Sequence, residues 1–126
     1  MIGYVTLGTN DLPRAAAFYD ALLAELGAKR LWNTPRGIGW GVSMTQPSLA
    51  AMTPFDGQAA SVGNGNGSMV GLVVLEPAQV DRIHAKALAP GGQDEGAPGP
   101  RGMGIYAGYF RDLDSNKLNV LCMPKG

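Results

Sequence analysis

The chain has 126 residues, of which 45% are hydrophobic and 16% are charged, and its formal net charge at pH 7 is zero. This composition predicts one globular domain of ordinary size and excludes an intrinsically disordered chain. The densest basic pair is Lys29-Arg30. Without a basic cluster, neither nucleic acid nor an anionic membrane is an expected partner.

Cysteine and histidine are scarce, which limits the chemistry of the chain. A single cysteine, Cys122, excludes an intrachain disulfide. A single histidine, His84, excludes any mechanism that needs two histidines from one chain. The first residues lack a signal-peptide pattern, and no apolar segment approaches the roughly 20 residues that span a bilayer. We therefore expect a soluble cytoplasmic protein.

The first half of the chain predicts one helix among short strands. Thr9-Asn10-Asp11 offers capping side chains, and Pro13 suits a first helical turn. Apolar residues at helical spacing predict a helix over residues 13–26, and Gly27 ends it. Strands are predicted over residues 2–8, 28–33, 37–45 and 48–53.

The second half begins with a loop rich in Gly and Asn, from Thr53 to Ser68. A strand is predicted over residues 69–75, followed by a helix that opens at Glu76-Pro77 and ends near Leu88. The Gly- and Pro-rich residues 96–104 are predicted to form a loop. The last two strands are predicted over residues 106–111 and 117–123.

An internal repeat relates the two halves, each with the order β-α-β-β-β, at an offset of 65 residues. The offset pairs Leu7 with Leu72, Phe18 with Ile83, Leu23 with Leu88, and Gly27 with Gly92. Because each half alone is too small to bury its sheet face, we expect the halves to pack together.

Three stretches resemble the vicinal oxygen chelate superfamily, which includes glyoxalase I, bleomycin-resistance proteins and extradiol dioxygenases. V-T-L-G-T-N-D-L-P-R-A-A-A-F-Y-D-A-L-L is similar to the family's opening strand and helix, and V-D-R-I-H-A-K-A-L-A-P-G-G to its second helix. Y-F-R-D-L-D-S-N-K-L is similar to its closing turn, with Leu113 and Ser115 where the family has Pro and Gly. These departures only reshape the turn, because Asn116 can take the left-handed conformation.

The resemblance implies an α+β fold, in which two βαβββ modules form a cupped mixed β-sheet with helices packed outside. Residues 1–126 would form a single domain, with module 1 over 1–53, a linker over 54–68 and module 2 over 69–126. The family also implies that such short chains pair side by side as a homodimer.

Many relatives hold a divalent metal in the cup, and the resemblance places the ligand positions at Tyr4, Met69 and Asn119. The remaining family position, near residue 52, is Met or Thr here. None of these side chains is a good ligand for zinc, nickel or iron, which prefer His and carboxylates. We therefore expect no metal and no cofactor.

Two reactive side chains are interpreted as structural. His84 lies in the middle of a predicted helix, where the repeat pairs it with Tyr19, and we interpret it as a surface or half-packed residue. Cys122 has no visible activating group near it and is interpreted as a packed thiol. Asp112 and Asp114 are interpreted as turn-forming, because the rest of a calcium loop is absent.

Some loop residues are candidates for ligand contact. The run G-N-G-N-G at 63–67 lacks the Lys-Ser/Thr of a phosphate loop and is interpreted as a hairpin or rim loop. Arg101 and Arg111 could each hold an anionic ligand or could be exposed charges. Leu31 and Trp32 are assigned to core or dimer contacts.

If the cup forms, some of a set of Met, aromatic and polar residues line it. The set is Tyr4, Trp40, Met44, Met69, Arg101, Met103, Tyr106, Tyr109 and Asn119. Met and aromatic side chains make an adaptable apolar pocket, and Asn and Tyr orient a ligand by hydrogen bonds. The alternative is that side chains simply fill the cup.

Three functions therefore stay open. The first is a metal-free protein that binds a small molecule in the cup, which the departures at the ligand positions favour. The second is a divergent lyase, isomerase or dioxygenase, which needs a metal or a Tyr4 of altered acidity. The third is a non-catalytic dimeric scaffold. Fold alone does not choose between them, because one scaffold hosts many chemistries.

Overall fold

The computed structural model describes residues 1–61 and 67–125, so most of the 63–67 run lies outside the described residues. The described residues form two compact units, one on each side of that gap. Together they contain two helices and eight strands, in the order predicted for two βαβββ modules. The α+β class is confirmed, as two four-stranded mixed sheets, each with one helix on one face.

In the first unit, the strand order across the sheet is β1-β4-β3-β2, with β1 and β4 parallel and the other neighbours antiparallel. The elements are β1 (Tyr4–Gly8), α1 (Leu12–Ala24), β2 (Lys29–Asn33), β3 (Gly37–Gly41) and β4 (Ser48–Met52). Helix α1 crosses from β1 to β2 at the opposite edge of the sheet, and β3 and β4 then fill the space between them, so that β4 pairs in parallel with β1.

Helix α1 begins and ends where the sequence predicts, to within two residues. The carboxylate of Asp11 accepts a hydrogen bond from the N–H of Arg14 at 3.1 Å and so caps the first turn. At the other end, Gly27 takes a positive φ of 74°. The N–H of Ala28 then donates to the carbonyl of Leu23 at 3.1 Å, which closes the last turn.

The core of the first unit lies between α1 and the sheet. Trp40 on β3 is 1% exposed, and its ring lies 5.5 Å from that of Tyr19 on α1. The indole N–H donates to Asp20 at 2.8 Å, so the polar atom of this buried ring is satisfied. The other apolar residues buried in the first unit are Ala15, Ala16, Phe18, Leu22, Leu23, Ile38, Leu49, Ala50 and Ala51.

The second unit repeats this arrangement with the strand order β5-β8-β7-β6, again with one parallel pair, β5 and β8. Its elements are β5 (Val70–Val74), α2 (Pro77–Leu88), β6 (Gln93–Pro100), β7 (Tyr106–Arg111) and β8 (Lys117–Cys122). Helices α1 and α2 start 65 residues apart, at Leu12 and Pro77, which confirms the repeat.

Helix α2 packs on its sheet through the predicted apolar positions. The side chain of Gln79 accepts the N–H groups of Leu75 and Glu76 at 3.1 and 3.0 Å, which satisfies donors at the helix start. Buried apolar residues of this core are Val80, Ile83, Ala87, Ala107, Phe110, Leu118 and Val120.

The prediction of a loop over residues 96–104 is wrong for its first five residues, which belong to strand β6. Glycine and proline dominate this segment, but β6 is an edge strand, where a proline can lack its N–H without losing a ladder bond. Its register with β7 shifts twice between Asp94 and Gly99. Tertiary pairing with β7 therefore overrides the local composition.

The closing turn is built by Asp112, as the turn-forming interpretation predicts. Its Oδ1 accepts the N–H groups of Asp114 and Asn116 at 2.9 Å, and its Oδ2 accepts the Asn116 side-chain amide at 2.9 Å. The left-handed residue, however, is Ser115, with φ of 71°, and not Asn116. Asn116 instead contributes to the turn through its side-chain hydrogen bond to Asp112.

Neither helix among the described residues is long and apolar enough to cross a bilayer.

Candidate functional site

Each sheet has one face covered by its own helix and one that this helix does not touch, which we call the helix-free face. In the second unit, Phe110 lies edge-on to His84 of α2, and Tyr106 donates a hydrogen bond to Asp81 of α2 at 2.7 Å. Tyr106 and Phe110 therefore point to the helix. Because side chains alternate along a strand, Tyr109 points to the helix-free face.

Tyr109 is at the centre of a polar group on this face. Across the β7–β8 ladder it stands opposite Asn119, and Asn119 in turn stands opposite Gly71 on β5. Asn119 is only 6% exposed. Its Oδ1 lies 3.0 Å from the place where a Cβ on Gly71 would stand, so the glycine makes room for the amide.

Two cations approach the Tyr109 ring from opposite strands. The guanidinium carbon of Arg101, just after β6, lies 5.5 Å from the ring centroid, and Nζ of Lys117 on β8 lies 5.8 Å from it. Both distances are within the range of a cation–π contact. The structure thus brings together Arg101, Tyr109 and Asn119 from the predicted set.

Lys117 is a member of this group that the sequence reasoning missed. A usable signal was present, because residues 117 and 119 are two positions apart on the closing strand and so lie on the same face. Residue 119 had been selected for the family's ligand position, whereas Lys117 matched no motif.

A tight turn and two glycines position Arg101. The N–H of Arg101 donates to the carbonyl of Ile105 at 2.8 Å, which closes the turn between β6 and β7. A terminal nitrogen of its guanidinium donates to the carbonyl of Ala97 at 2.6 Å. A Cβ at Gly96 or Gly99 would stand 3.2–3.4 Å from the guanidinium, so glycine at these positions lets the charge lie close to the sheet.

The third cation on this face is neutralised. Arg111 forms an ion pair with Glu95 and donates to the carbonyl of Ser115 at 2.9 Å. Within the residues that the structure describes, Arg101 bonds only to backbone carbonyls, and the contact made by Lys117 is with the Tyr109 ring. Two positive charges therefore stand beside one phenol ring without a carboxylate partner.

The helix-free face of the first unit is different in character. Glycines 37, 39 and 41 of β3 and Ala50 of β4 form a floor of small residues. The indole of Trp32 lies directly on Gly39, and Leu31 lies on Gly41. These two side chains, assigned from the sequence to core or dimer contacts, thus cover the floor within their own unit.

The other candidate residues are dispersed. Tyr4 is 66% exposed on β1, the edge strand of the first sheet. Trp40 and Tyr106 point to the helices instead. The hydrogen bond that Tyr106 donates to the Asp81 carboxylate raises the pKa of Tyr106. Three further candidates are exposed methionines, namely Met44, Met69 and Met103.

The donor atoms do not suit a transition metal. Tyr4 offers a phenol, Met69 a thioether and Asn119 an amide turned towards Gly71. The described residues contain no group of three or more His, Cys, Asp or Glu that could hold an ion. No chemical step is therefore assigned to a metal.

The expectation that His84 is a surface or half-packed residue is wrong, because it is 6% exposed between α2 and the sheet. Its Nε2 lies 3.1 Å from Oδ1 of Asp94 on β6. Two hydrogen bonds lower the pKa of Asp94: the larger effect comes from the N–H of Gly96 and the smaller from His84. This pair ties α2 to an irregular strand, a structural role that a helical pattern alone does not reveal.

Cys122 is confirmed as a packed thiol, since it is buried and donates to the carbonyl of Leu75 at 3.3 Å. Near it, a groove of about 340 Å³ runs along the end of β5. Its lining residues are Val73, Val74, Leu75, Glu76, Met123, Pro124 and Lys125. The lining is mostly aliphatic and includes no residue of the Tyr109 group.

One family model matches almost the whole chain. The family model for the Glyoxalase/Bleomycin resistance protein/Dioxygenase superfamily matches residues 1–120. No curated protein matches the chain.

Solved structures show the same fold over almost the whole chain. A glyoxalase/bleomycin resistance protein from Albidiferax ferrireducens T118 is 36% identical, with a TM-score of 0.87 and coverage of 98% of both chains. A hypothetical protein from S. aureus is 25% identical, with a TM-score of 0.75 and coverage of 97% of this chain and 92% of the other. A putative glyoxalase from Bacillus halodurans is 21% identical, with a TM-score of 0.76 and coverage of 97% and 95%.

Proposed function

We propose a function from one premise, which is that the chain belongs to the Glyoxalase/Bleomycin resistance protein/Dioxygenase superfamily. The chain binds a small molecule on the helix-free face of its second sheet, and it does so without a metal ion. Tyr109 and Asn119 orient the ligand there. We place this binding protein in the cytoplasm.

The observation that carries this proposal is the pairing of Tyr109 with Asn119 on a face that α2 leaves uncovered. An aromatic ring supplies contact area for an apolar or aromatic ligand, and a buried amide supplies a directional hydrogen bond. Asn119 stands where the family resemblance implies a metal ligand. The same position therefore serves a polar contact in place of a metal bond.

The test is a ligand screen read by amide NMR, with small aromatic and polar molecules that include charged and neutral compounds. We expect binders to shift the signals of Tyr109 and Asn119, and Tyr109→Ala to abolish these shifts. Phe55→Ala is the matched control, because Phe55 is an aromatic residue of the first unit and is 89% exposed. Binders that perturb only other residues, or a screen without binders, would refute the proposed site.

Metal content provides a separate test of the metal-free part. The purified protein is incubated with nickel, zinc, manganese, iron or calcium, desalted and analysed by mass spectrometry. We expect less than about a tenth of an equivalent of each, because the available donors are a phenol, a thioether and an amide. Near one equivalent of any of them would favour the alternative, a divergent lyase, isomerase or dioxygenase.

We also propose that two chains associate as a homodimer. Strands β1 and β5 are edge strands, and each leaves one row of backbone groups without a sheet partner in its own unit. Beside these edges, Ile2, Tyr4, Val73 and Leu75 are exposed. Light scattering after size exclusion should give the mass of two chains, and a mass of one chain at micromolar concentration would refute the proposal. The assignment of residues 1–126 to a single domain stays a prediction.

A further inference from the structure

We propose that the ligand of the second unit is an oxyanion, with a carboxylate, phosphate or phosphonate group held between Arg101 and Lys117 beside the Tyr109 ring. This inference rests on the proposed binding function and adds the chemical class of the ligand. It also assigns a role to Lys117, which no sequence motif indicated.

The first argument is the number of hydrogen-bond donors that remain available. A guanidinium has five N–H donors and an ammonium has three. Arg101 makes hydrogen bonds to the carbonyls of Ala97 and Pro100, at 2.6 and 3.4 Å. Lys117 is described only in contact with the Tyr109 ring. Most donors of both cations thus stay available for the oxygen atoms of a ligand.

The second argument is charge balance. Three other cations among the described residues have carboxylate partners, as Arg30 has Asp20, Arg111 has Glu95 and Lys125 has Glu76. Arg101 and Lys117 instead both approach the Tyr109 ring, and among the described residues neither forms an ion pair. An anion in contact with both cations balances their charge and forms charge-assisted hydrogen bonds.

The third argument is geometric. Gly96 and Gly99 allow the Arg101 guanidinium to approach the sheet, and the turn between β6 and β7 fixes the base of that side chain. Lys117 and Asn119 are two positions apart on β8, and Asn119 stands opposite Tyr109, so all three side chains lie on the same face. The ring and the amide would contact the body of the ligand while the two cations contact its anionic group.

The experiment compares matched ligands that differ only in charge. Benzoate and phenylphosphonate are the anionic probes, benzamide is the neutral probe, and binding is followed by NMR titration at low and high salt. We expect both anions to bind at least about tenfold more tightly than benzamide. The difference should shrink at high salt, because partly exposed charges are screened.

Variants locate the anion preference. Arg101→Gln and Lys117→Gln should each weaken benzoate binding, and the double variant should bind benzoate no better than benzamide. Arg82→Gln and Lys86→Gln are matched controls, because both residues are exposed on α2, on the opposite side of the sheet. These controls should keep the preference for the anions.

The outcomes separate this inference from the binding function on which it rests. If neutral compounds bind at Tyr109 as well as anions do, the oxyanion inference fails and the binding function stands. An anion preference that survives the double variant would also overturn the inference. If neither charged nor neutral compounds bind at Tyr109, both proposals fail.

Discussion

The two units have the same element order and strand order, yet they differ on both faces of their sheets. Towards the helix, the first unit uses Trp40 bonded to Asp20, and the second uses His84 paired with Asp94. On the helix-free face, the first unit has a glycine floor covered by Trp32, whereas the second has the charged group around Tyr109. The two halves of the repeat therefore share one backbone arrangement, and a few residue differences on each face determine which side chains that backbone presents.

Positions 19 and 84 illustrate the difference. They are equivalent in the repeat, and both side chains are buried against the sheet. Tyr19 is in ring contact with Trp40 across the helix–sheet interface, whereas His84 reaches past Phe110 to the edge strand β6. Tyr19 thus stabilises its unit by burying apolar surface. His84 stabilises the irregular strand β6 through a hydrogen bond.

The largest expected effect comes from removing the central ring of either core. Trp40→Ala and Phe110→Ala should each lower the free energy of unfolding by about 3–5 kcal/mol, because each leaves a cavity under its helix. Urea denaturation measures the loss. Phe55→Ala is the control, and as an exposed change it should stay within about 0.5 kcal/mol. A similarly small loss for Trp40→Ala would show that the first core does not depend on this ring.

The glycine floor of the first unit can be broken at Gly39. Gly39→Ala should cost about 1–3 kcal/mol, because the new Cβ overlaps the indole of Trp32 and forces it to move. The emission of Trp32 should shift to longer wavelength as the indole becomes more exposed. Gly3→Ala has nothing within 4 Å of the new Cβ and should change neither property. Unchanged emission in Gly39→Ala would contradict the described placement of Trp32.

Asp20 should contribute more to the free energy of unfolding than its exposed ion pair with Arg30 suggests. Asp20→Ala should cost about 1–3 kcal/mol, because it leaves the buried indole N–H of Trp40 without an acceptor. Asp20→Asn keeps an oxygen at that place and should cost less. Thermal melting compares the two, and equal losses would indicate that charge rather than the indole hydrogen bond is what matters.

The smallest expected effect is the pH dependence of the His84–Asp94 pair. The pKa of Asp94 is lowered in the folded protein, first by the N–H of Gly96 and then by His84. A lowered pKa stabilises the fold above the unfolded value, near 4, and this contribution is lost as the pH falls through the folded value. Asp94→Asn should therefore flatten the change in melting temperature between about pH 5 and pH 3. An unchanged profile in this variant would exclude a contribution from Asp94.

Local patterns predicted most of the elements. The capping residues, helical spacing and Gly27 placed α1 within two residues of its observed ends, and Glu76-Pro77 predicted where α2 begins. Most of strand β6 was wrongly predicted as a loop, because its glycines and prolines are typical of one. Only the pairing with β7 makes this segment a strand. The positive φ of Ser115 was not predicted either; in this turn Asn116 is bonded to Asp112 through its side chain.

By itself, the sequence determined the fold class, the repeat and the poor metal-binding chemistry at Tyr4, Met69 and Asn119. The fold class and the repeat follow from residue types and their spacing along the chain, and the ligand positions follow from the family resemblance. Only the tertiary structure decided that Arg101 and Lys117 meet at Tyr109, and that His84 is buried against Asp94. Such contacts join residues from different strands and helices, so they depend on register and side-chain direction, which no local pattern encodes.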